Sequence, residues 1–171
     1  VVDYYGGIYS SDGINLPELI DFTEKEKDIT KFTGGDTALS VDNIVNDESI
    51  VVAVIMTPTN KETGKPGIDY VRALLGAGKH VVISDKGPIM LAYKELKELA
   101  DSKGVQLGIG CTTGGALPSV NGGVMDMAGA QITSIEGVLN GTTNFILKYM
   151  EENGCEYSEA LKEAQACGIA E

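Results

Sequence analysis

The stretch Ser49-Ile50-Val51-Val52-Ala53-Val54-Ile55-Met56-Thr57-Pro58-Thr59-Asn60 decides the fold class. Its first part, residues 49–55, is a continuous apolar run rich in β-branched side chains, which is typical of a strand buried on both faces in a parallel sheet. The polar residues 56–60 follow directly and form a turn at the carboxyl end of that strand. The stretch therefore predicts a central strand with a polar loop at its exit.

The same pattern repeats toward the C-terminus. An amphipathic helix is predicted after the turn, with glycines at its end and one apolar stripe formed by Ile68, Val71, Leu74 and Leu75. A second strand (79–84), a second helix (91–103) and a third strand (105–109) follow. Strands that alternate with helices predict an α/β fold with a parallel sheet, whose ligands bind at the carboxyl edge. The loops 56–60, 84–88 and 110–118 belong to that edge.

The flanking regions differ from this pattern. Residues 1–5 are expected to end a strand, Pro17 suits the first turn of a helix, and the charged residues 24–31 are expected to lie in solvent. Residues 131–139 alternate between apolar and polar, which predicts a half-exposed strand in a different sheet. Two helices are then expected, the second with Ser158 as its N-cap. These changes place a domain boundary between residues 117 and 118, and the abrupt ends favour an excerpt from a longer protein.

Composition excludes several classes of function. The chain has 171 residues, 43% of them hydrophobic and 22% charged, which is ordinary for a globular protein. A net charge of −12 disfavours binding to nucleic acid or to anionic membranes. Three cysteines without a C-x-x-C pair, together with one histidine, argue against a zinc site or a disulfide framework. Reduced thiols in the cytoplasm are the simplest expectation.

Two loops carry residues that are suited to chemistry. Lys86 follows a predicted buried strand, where its ammonium could contact a ribose, a carbonyl oxygen or a phosphate; the alternative is an ordinary surface lysine in a turn. The glycine-rich loop 110–118 could bind an anion through amides or a cation through carbonyl groups, or it could simply connect two domains. Cys111 lacks a plausible histidine partner, because His80 opens its strand at the opposite end.

Two further segments read as structural when they are taken alone. Asn140-Gly141 is a turn dipeptide, and Thr142 or Thr143 could cap the helix that follows. Glu171 lies just past a predicted helix end and reads as a solvated carboxylate.

Taken together, these segments resemble homoserine dehydrogenase. The resemblance rests on the Thr-Pro-Thr-Asn turn (57–60), the strand and Lys-Gly-Pro run (78–88), the Ala-Tyr-Lys-Glu-Leu helix (92–96), the Ile-Glu-Gly-Val-Leu-Asn-Gly-Thr-Thr-Asn-Phe-Ile-Leu signature (135–147) and the segment 163–171. It implies a Rossmann-type dinucleotide-binding domain (1–117), followed by the start of an α+β substrate and dimerisation domain (118–171).

The family interconverts aspartate 4-semialdehyde and homoserine by hydride transfer with NAD or NADP. The resemblance implies a catalytic role for Lys86, which also contacts the cofactor, and a role for Glu171 in binding the substrate amino group. Asp3, at the end of the second strand of the sheet, Thr57 and Gly168 are the other implied cofactor contacts.

The resemblance also implies a homodimer, to which the strand 131–139 could contribute an interface. It further implies a monovalent cation, sodium, held largely by carbonyl groups at Gly110, Thr113, Gly115 and Leu117.

Three departures from the family pattern matter. Asp85 stands where the family has asparagine, so it is expected to hold the Lys86 ammonium through its charge. Gly110-Cys111-Thr112-Thr113 replaces Glu-Ala-Thr-Val at the cation loop. The family's glycine-rich phosphate loop and its catalytic aspartate and lysine have no counterpart here, so this chain alone is expected to be inactive. A related semialdehyde oxidoreductase and a degenerate nucleotide-binding or dimerisation module are the alternatives.

Overall fold

The computed structural model describes residues 1–170 and divides the chain into two compact units, Val1–Thr112 and the residues from Thr113 onward. This division falls inside the predicted connecting loop 110–118. The assignment of residues 1–117 to cofactor binding and of residues 118–171 to substrate binding stays a prediction. None of the helices among the described residues is both long and apolar enough to cross a lipid bilayer.

The first unit contains the predicted parallel sheet. Its strands β3 (Val52–Ile55), β4 (His80–Ile83) and β5 (Leu107–Gly108) lie side by side in that order, and Val52 pairs with His80 at the start of the register. Helix α3 (Gly67–Gly76) connects β3 to β4, and helix α4 (Lys86–Lys103) connects β4 to β5. The predicted alternation of strands and helices is confirmed, although β5 is shorter than expected.

The main core lies on one face of this sheet. The helices α3 and α4 pack there, and the buried residues of the cluster are Ile55, Val71, Leu74, Leu75, Val81, Ile83, Leu96 and Ala100. The opposite face is open in this chain, because Val52 is 53%, Val54 63% and Val82 41% exposed. The prediction of a strand buried on both faces is therefore wrong here. Alternate side chains of a strand point to opposite faces, and only one face is covered by helices.

Helix α4 begins earlier than the sequence indicates. It starts at Lys86 rather than near residue 91, because Asp85 caps its N-terminus, and it ends at Gly104 in the left-handed conformation with φ of 68°. Ala92 interrupts the helical geometry with φ of −142°. The run Lys86-Gly87-Pro88 is therefore the first turn of a helix and not a loop, and a proline is tolerated there because its missing N–H would have no partner inside the helix.

A smaller subdomain precedes the parallel sheet. Strands β1 (Gly7–Ile8) and β2 (Gly35–Asp36) form a separate antiparallel pair, α1 spans Leu16–Lys25, and α2 spans Val41–Asn46. Pro17 lies in the first turn of α1, as predicted.

Two predictions for this subdomain are wrong. Residues 1–5 do not end a strand of the parallel sheet, since Val2 makes only an isolated bridge to Gly7. The segment 24–31 is not fully solvated, because Ile29 begins a 3₁₀ turn and packs with Ile8 and Leu19 in a second core.

The second unit is helical in its described part. A short helix α5 (Ser119–Asn121) continues into a π-helical turn (Gly122–Asp126), and the longer helices are α6 (Gly141–Asn153) and α7 (Tyr157–Ala166). These longer helices pack through Ile146, Ala160 and Ala164.

The strand predicted at 131–139 is absent from this unit. Those residues are exposed and lie outside any strand, since no partner strand within the described chain satisfies their backbone groups. Glu156, and not Ser158, precedes the first turn of α7.

Candidate functional site

Polar side chains from two neighbouring strands meet at the carboxyl edge of the parallel sheet. Thr57 lies just beyond β3 and Asp85 just beyond β4, and the Thr57 hydroxyl donates a hydrogen bond to Asp85 Oδ2 at 2.9 Å. The other carboxylate oxygen, Oδ1, accepts the Gly87 amide at 2.9 Å. Asp85 is only 2% exposed, so both of its oxygens are committed inside the protein. The edge is thus built around a buried acid with fixed partners.

Lys86 extends from this edge as the first residue of α4. Its side chain is exposed, and its backbone amide donates to the Thr59 hydroxyl at 3.4 Å. Among residues 1–170, no ion pair forms between the Lys86 ammonium and a carboxylate. The expectation that Asp85 holds this ammonium is therefore wrong, because the Asp85 carboxylate caps the helix and binds Thr57 instead. The positive charge of Lys86 is left available to a ligand.

Two glycines allow the loops at this edge to pack closely. A Cβ atom on Gly67 would lie 2.5 Å from Asp85 Oδ2 and 2.8 Å from Thr57 Oγ1. A Cβ atom on Gly87 would lie 2.6 Å from the Asn60 carbonyl oxygen. The close neighbour of Gly87 is thus the backbone of the 56–60 loop. These contacts hold the 56–60 loop against the start of α4.

Asp3 lies apart from the parallel sheet. It belongs to a tight turn in which its carboxylate accepts the Tyr5 amide at 2.8 Å and its own amide donates to the Gly6 carbonyl at 2.8 Å. The turn precedes β1 of the small antiparallel pair, so Asp3 does not end a strand of the parallel sheet as expected. Its implied contact with a cofactor stays a prediction.

In the second unit, one hydroxyl connects the signature segment to the turn after α7. The Thr142 hydroxyl donates to the Ile169 carbonyl at 2.8 Å, and Gly168 lies beside it with φ of 69°. Asn140, and not a threonine, caps α6, because its side-chain oxygen accepts the Thr143 amide at 2.7 Å. Thr142 thus connects the start of α6 to the turn that contains Gly168. The contact of Gly168 with a cofactor stays a prediction. Glu171 lies outside the described residues.

The predicted cation ligands lie in the glycine-rich loop 110–118, which has no regular strand or helix before α5. Gly110 follows β5 and belongs to the first unit. The other three residues, Thr113, Gly115 and Leu117, belong to the second unit. The Thr113 carbonyl accepts a hydrogen bond from the Ser119 hydroxyl, and Leu117 is 68% exposed. A ligand role for these carbonyl groups stays a prediction.

Cys111 is not paired with a histidine in the described chain. Its thiol donates to the Ile83 carbonyl at 3.3 Å, at the end of β4, whereas His80 opens the same strand and accepts the Gln106 amide at 3.1 Å. Cys111, which follows β5, therefore contacts the end of β4 opposite to the one where His80 lies. This geometry agrees with the sequence argument against a Cys–His nucleophile.

The sequence did not reveal the hydrogen-bond partners of two residues, one in each unit. The roles of Asp85 and Thr142 depend on partners 28 and 27 positions away in the chain, respectively. A local signal existed for Asp85, because an aspartate that directly precedes a helix is a common N-cap. The predicted late start of α4 concealed it. For Thr142 the turn and the hydroxyl were visible, but the acceptor was not.

Comparison with known proteins places these features in a family. Residues 8–111 match the family model described as an oxidoreductase family with an NAD-binding Rossmann fold. Residues 118–171 match the family model for homoserine dehydrogenase. The two matched segments are adjacent and together cover most of the chain.

Individual relatives agree with both matches. The chain is 39% identical to a homoserine dehydrogenase of Methanocaldococcus jannaschii over 100% of the chain and 51% of the relative. It is 32% identical to an NAD(+)-dependent homoserine dehydrogenase of Pseudomonas canavaninivorans over 98% of the chain and 47% of the relative. A solved hyperthermophilic archaeal homoserine dehydrogenase in complex with NADPH superposes with a TM-score of 0.80 at 26% identity, covering 98% of this chain and 50% of that one. The chain thus spans about half the length of the relatives it matches.

Proposed function

We propose that this chain, which belongs to the NAD-binding Rossmann-fold oxidoreductases and is homologous to homoserine dehydrogenases along its length, is part of an enzyme that interconverts aspartate 4-semialdehyde and homoserine. The observation that carries the proposal is the carboxyl edge of the parallel sheet. There Thr57, the buried Asp85 and the exposed ammonium of Lys86 follow two adjacent strands. Ligands of open α/β sheets bind at that edge.

A nicotinamide cofactor bound at this edge would supply or accept the hydride. The edge fits such a group because it offers the half-buried hydroxyl of Thr57 and the exposed ammonium of Lys86. Both residues lie on loops that pack closely because Gly67 and Gly87 have no side chain. Asp3 and Gly168 are the further contacts in this proposal. The proposal includes both NADH and NADPH as coenzymes, since one relative is named as NAD(+)-dependent and another was solved with NADPH.

Lys86 has the central chemical role in the proposal. As the semialdehyde is reduced, negative charge develops on its carbonyl oxygen, and an ammonium within hydrogen-bond reach stabilises that charge and can transfer a proton. Within the described residues no ion pair engages Lys86, so its side chain is available for this purpose. Glu171, beyond the described residues, is proposed to bind the substrate amino group.

Three finer features belong to the same proposal. A monovalent cation, sodium, would bind the carbonyl groups of Gly110, Thr113, Gly115 and Leu117. A homodimer would form through the second unit, where the irregular segment 131–139 exposes apolar side chains such as Ile135 at 77%. A cytoplasmic location is consistent with the reduced, unpaired cysteines of the described chain.

The test is turnover of the complete gene product with aspartate 4-semialdehyde and either NADH or NADPH. Lys86→Ala is expected to lower kcat/KM by at least about 100-fold, in line with the loss of a general acid and its charge. Lys94→Ala is the matched control, because Lys94 lies on the same helix with a side chain that is 90% exposed. Its kcat/KM should stay within about twofold of the wild type, as is usual for surface substitutions.

Three results would contradict all or part of the proposal. Lack of turnover by the folded, complete protein with both cofactors would remove the homoserine assignment and favour a nucleotide-binding or dimerisation module. Turnover that survives Lys86→Ala unchanged would leave the family assignment in place but remove the role given to Lys86. Turnover with a different semialdehyde only would favour the related oxidoreductase.

A further inference from the structure

The hydrogen bond between Thr57 and Asp85 has a fixed direction. Carboxylate oxygens only accept, so the Thr57 hydroxyl, 2.9 Å from Asp85 Oδ2, must donate its single proton to that atom. The carboxylate cannot turn away, because its other oxygen accepts the Gly87 amide and it is 2% exposed. It also lies at the N-terminus of α4, where negative charge is stabilised. The half-buried Thr57 hydroxyl therefore has only lone pairs left for a ligand.

We propose that Asp85 is a positioning residue that fixes Thr57 as a hydrogen-bond acceptor toward the nicotinamide nucleotide. This inference rests on the proposed function, because it concerns the same edge of the sheet. An acceptor at Thr57 selects a donor group, such as a ribose hydroxyl or a carboxamide N–H. A phosphate oxygen, which only accepts, would find no proton at this hydroxyl.

An asparagine at position 85 would reverse this polarity. Its carbonyl oxygen could still accept the Gly87 amide, whereas its NH₂ group would take the place of Oδ2 and donate to Thr57. The Thr57 proton would then be released and could point toward the ligand. Asp85→Asn thus preserves shape and the helix cap while it exchanges donor for acceptor.

The experiment is a double-mutant cycle on binding, with the complete gene product and NADPH and NADH in separate titrations by calorimetry. Asp85→Asn and Thr57→Val are each expected to raise the Kd of the preferred coenzyme by about tenfold, the size of one lost hydrogen bond. The double variant is expected to bind no more weakly than Thr57→Val alone. Thr57→Ser, which keeps the hydroxyl, should restore affinity to within about threefold of the wild type.

Asp28→Asn is the matched control. Asp28 caps a short 3₁₀ turn, and its Oδ1 accepts both the amide and the hydroxyl of Thr30, at 3.0 and 2.6 Å. The chemical change is the same as at Asp85, but it is made in the small antiparallel subdomain. The Kd for the coenzyme should stay within about twofold of the wild type, as expected for a substitution away from the site.

The outcomes separate this inference from the proposed function. If Asp85→Asn weakens binding by the same factor in the wild type and in the Thr57→Val background, Asp85 acts independently of Thr57 and the inference is overturned. The same holds if Asp85→Asn binds as tightly as the wild type. Lack of binding of either coenzyme to the wild type would instead remove the proposed function, and the inference with it. Loss of the Asp85→Asn effect in the Thr57→Val background supports the inference.

Discussion

Lys79 carries a buried ammonium whose removal gives a sharp test of how the parallel sheet is anchored. The residue is 4% exposed, and its Nζ atom donates to the carbonyl oxygens of Asp47 at 2.6 Å and Ile50 at 2.8 Å. These carbonyl groups belong to the connection between α2 and β3, whereas Lys79 immediately precedes β4. One side chain thus holds the connection before β3 to the start of the neighbouring strand.

The substitution Lys79→Met separates the charge from the packing, because methionine keeps an unbranched chain of similar length. Two carbonyl groups lose their charged donor, but the Asp47 carbonyl still accepts the Ile50 amide at 3.2 Å. The main cost therefore falls on the Ile50 carbonyl, and a buried acceptor without a partner costs about 1–3 kcal/mol. The protein also no longer has to desolvate an ammonium, which by itself costs several kcal/mol. Because both hydrogen bonds are only partly buried, water can replace some of what is lost. We expect the local free energy of unfolding to fall by roughly 1–3 kcal/mol.

Amide hydrogen exchange measures this change without assuming that both units unfold together. The Val81 amide donates to the Gln106 carbonyl at 2.9 Å across the sheet, so its exchange reports on opening of β4. A loss of roughly 1–3 kcal/mol accelerates that exchange by about 5- to 150-fold. Lys94→Met, on an exposed part of α4, should leave it unchanged. Equal or slower exchange in Lys79→Met would refute the reasoning, because desolvation of the ammonium would then outweigh its two hydrogen bonds.

Three other perturbations probe separate parts of the chain. Thr142→Val, which frees the turn that carries Gly168, should weaken NADPH binding by about 3- to 10-fold in calorimetry, whereas Thr142→Ser should not. The hydroxyl of a neighbouring serine lowers the pKa of the Asp47 carboxyl below its ordinary value in the folded state, so the carboxylate stabilises the fold above that ordinary value. This contribution is lost as pH falls through the lower folded pKa, and Asp47→Asn should therefore flatten the acid unfolding curve followed by circular dichroism. Burial, followed by the hydrogen bond to Glu163, raises the pKa of the Cys167 thiol, so Glu163→Gln should speed its alkylation by iodoacetamide at about pH 8.

The parallel sheet could be predicted from sequence because its signals are local. The apolar run 49–55 and the helix stripe at Ile68, Val71 and Leu75 correspond to a strand and to a buried helix face in the structure. The segment 131–139 has an equally regular alternation but forms no strand. A strand needs a partner for its backbone hydrogen bonds, and alternation reports only which side chains share a face.

The chemistry of the site was predictable only where it depends on position along one strand. Lys86 was expected at the carboxyl edge because it follows a buried strand, and it lies there. The partners of Asp85 and Lys79 were not predictable, because Thr57 and Asp47 are distant in the chain. A lysine at the start of a strand is usually exposed, and the two carbonyl acceptors explain why Lys79 is buried.

The close packing at the sheet edge explains how a buried carboxylate is tolerated there. Without a side chain at Gly67, helix α3 approaches so closely that an added Cβ would lie 2.5 Å from Asp85 Oδ2. That approach removes water from the acid, which is costly unless its oxygens are hydrogen-bonded, and the Thr57 hydroxyl and the Gly87 amide meet that need. Asp85 faces these two partners, and within the described residues it forms no ion pair with Lys86. The same packing that buries the acid therefore leaves the neighbouring ammonium as the charged group that the edge presents to a ligand.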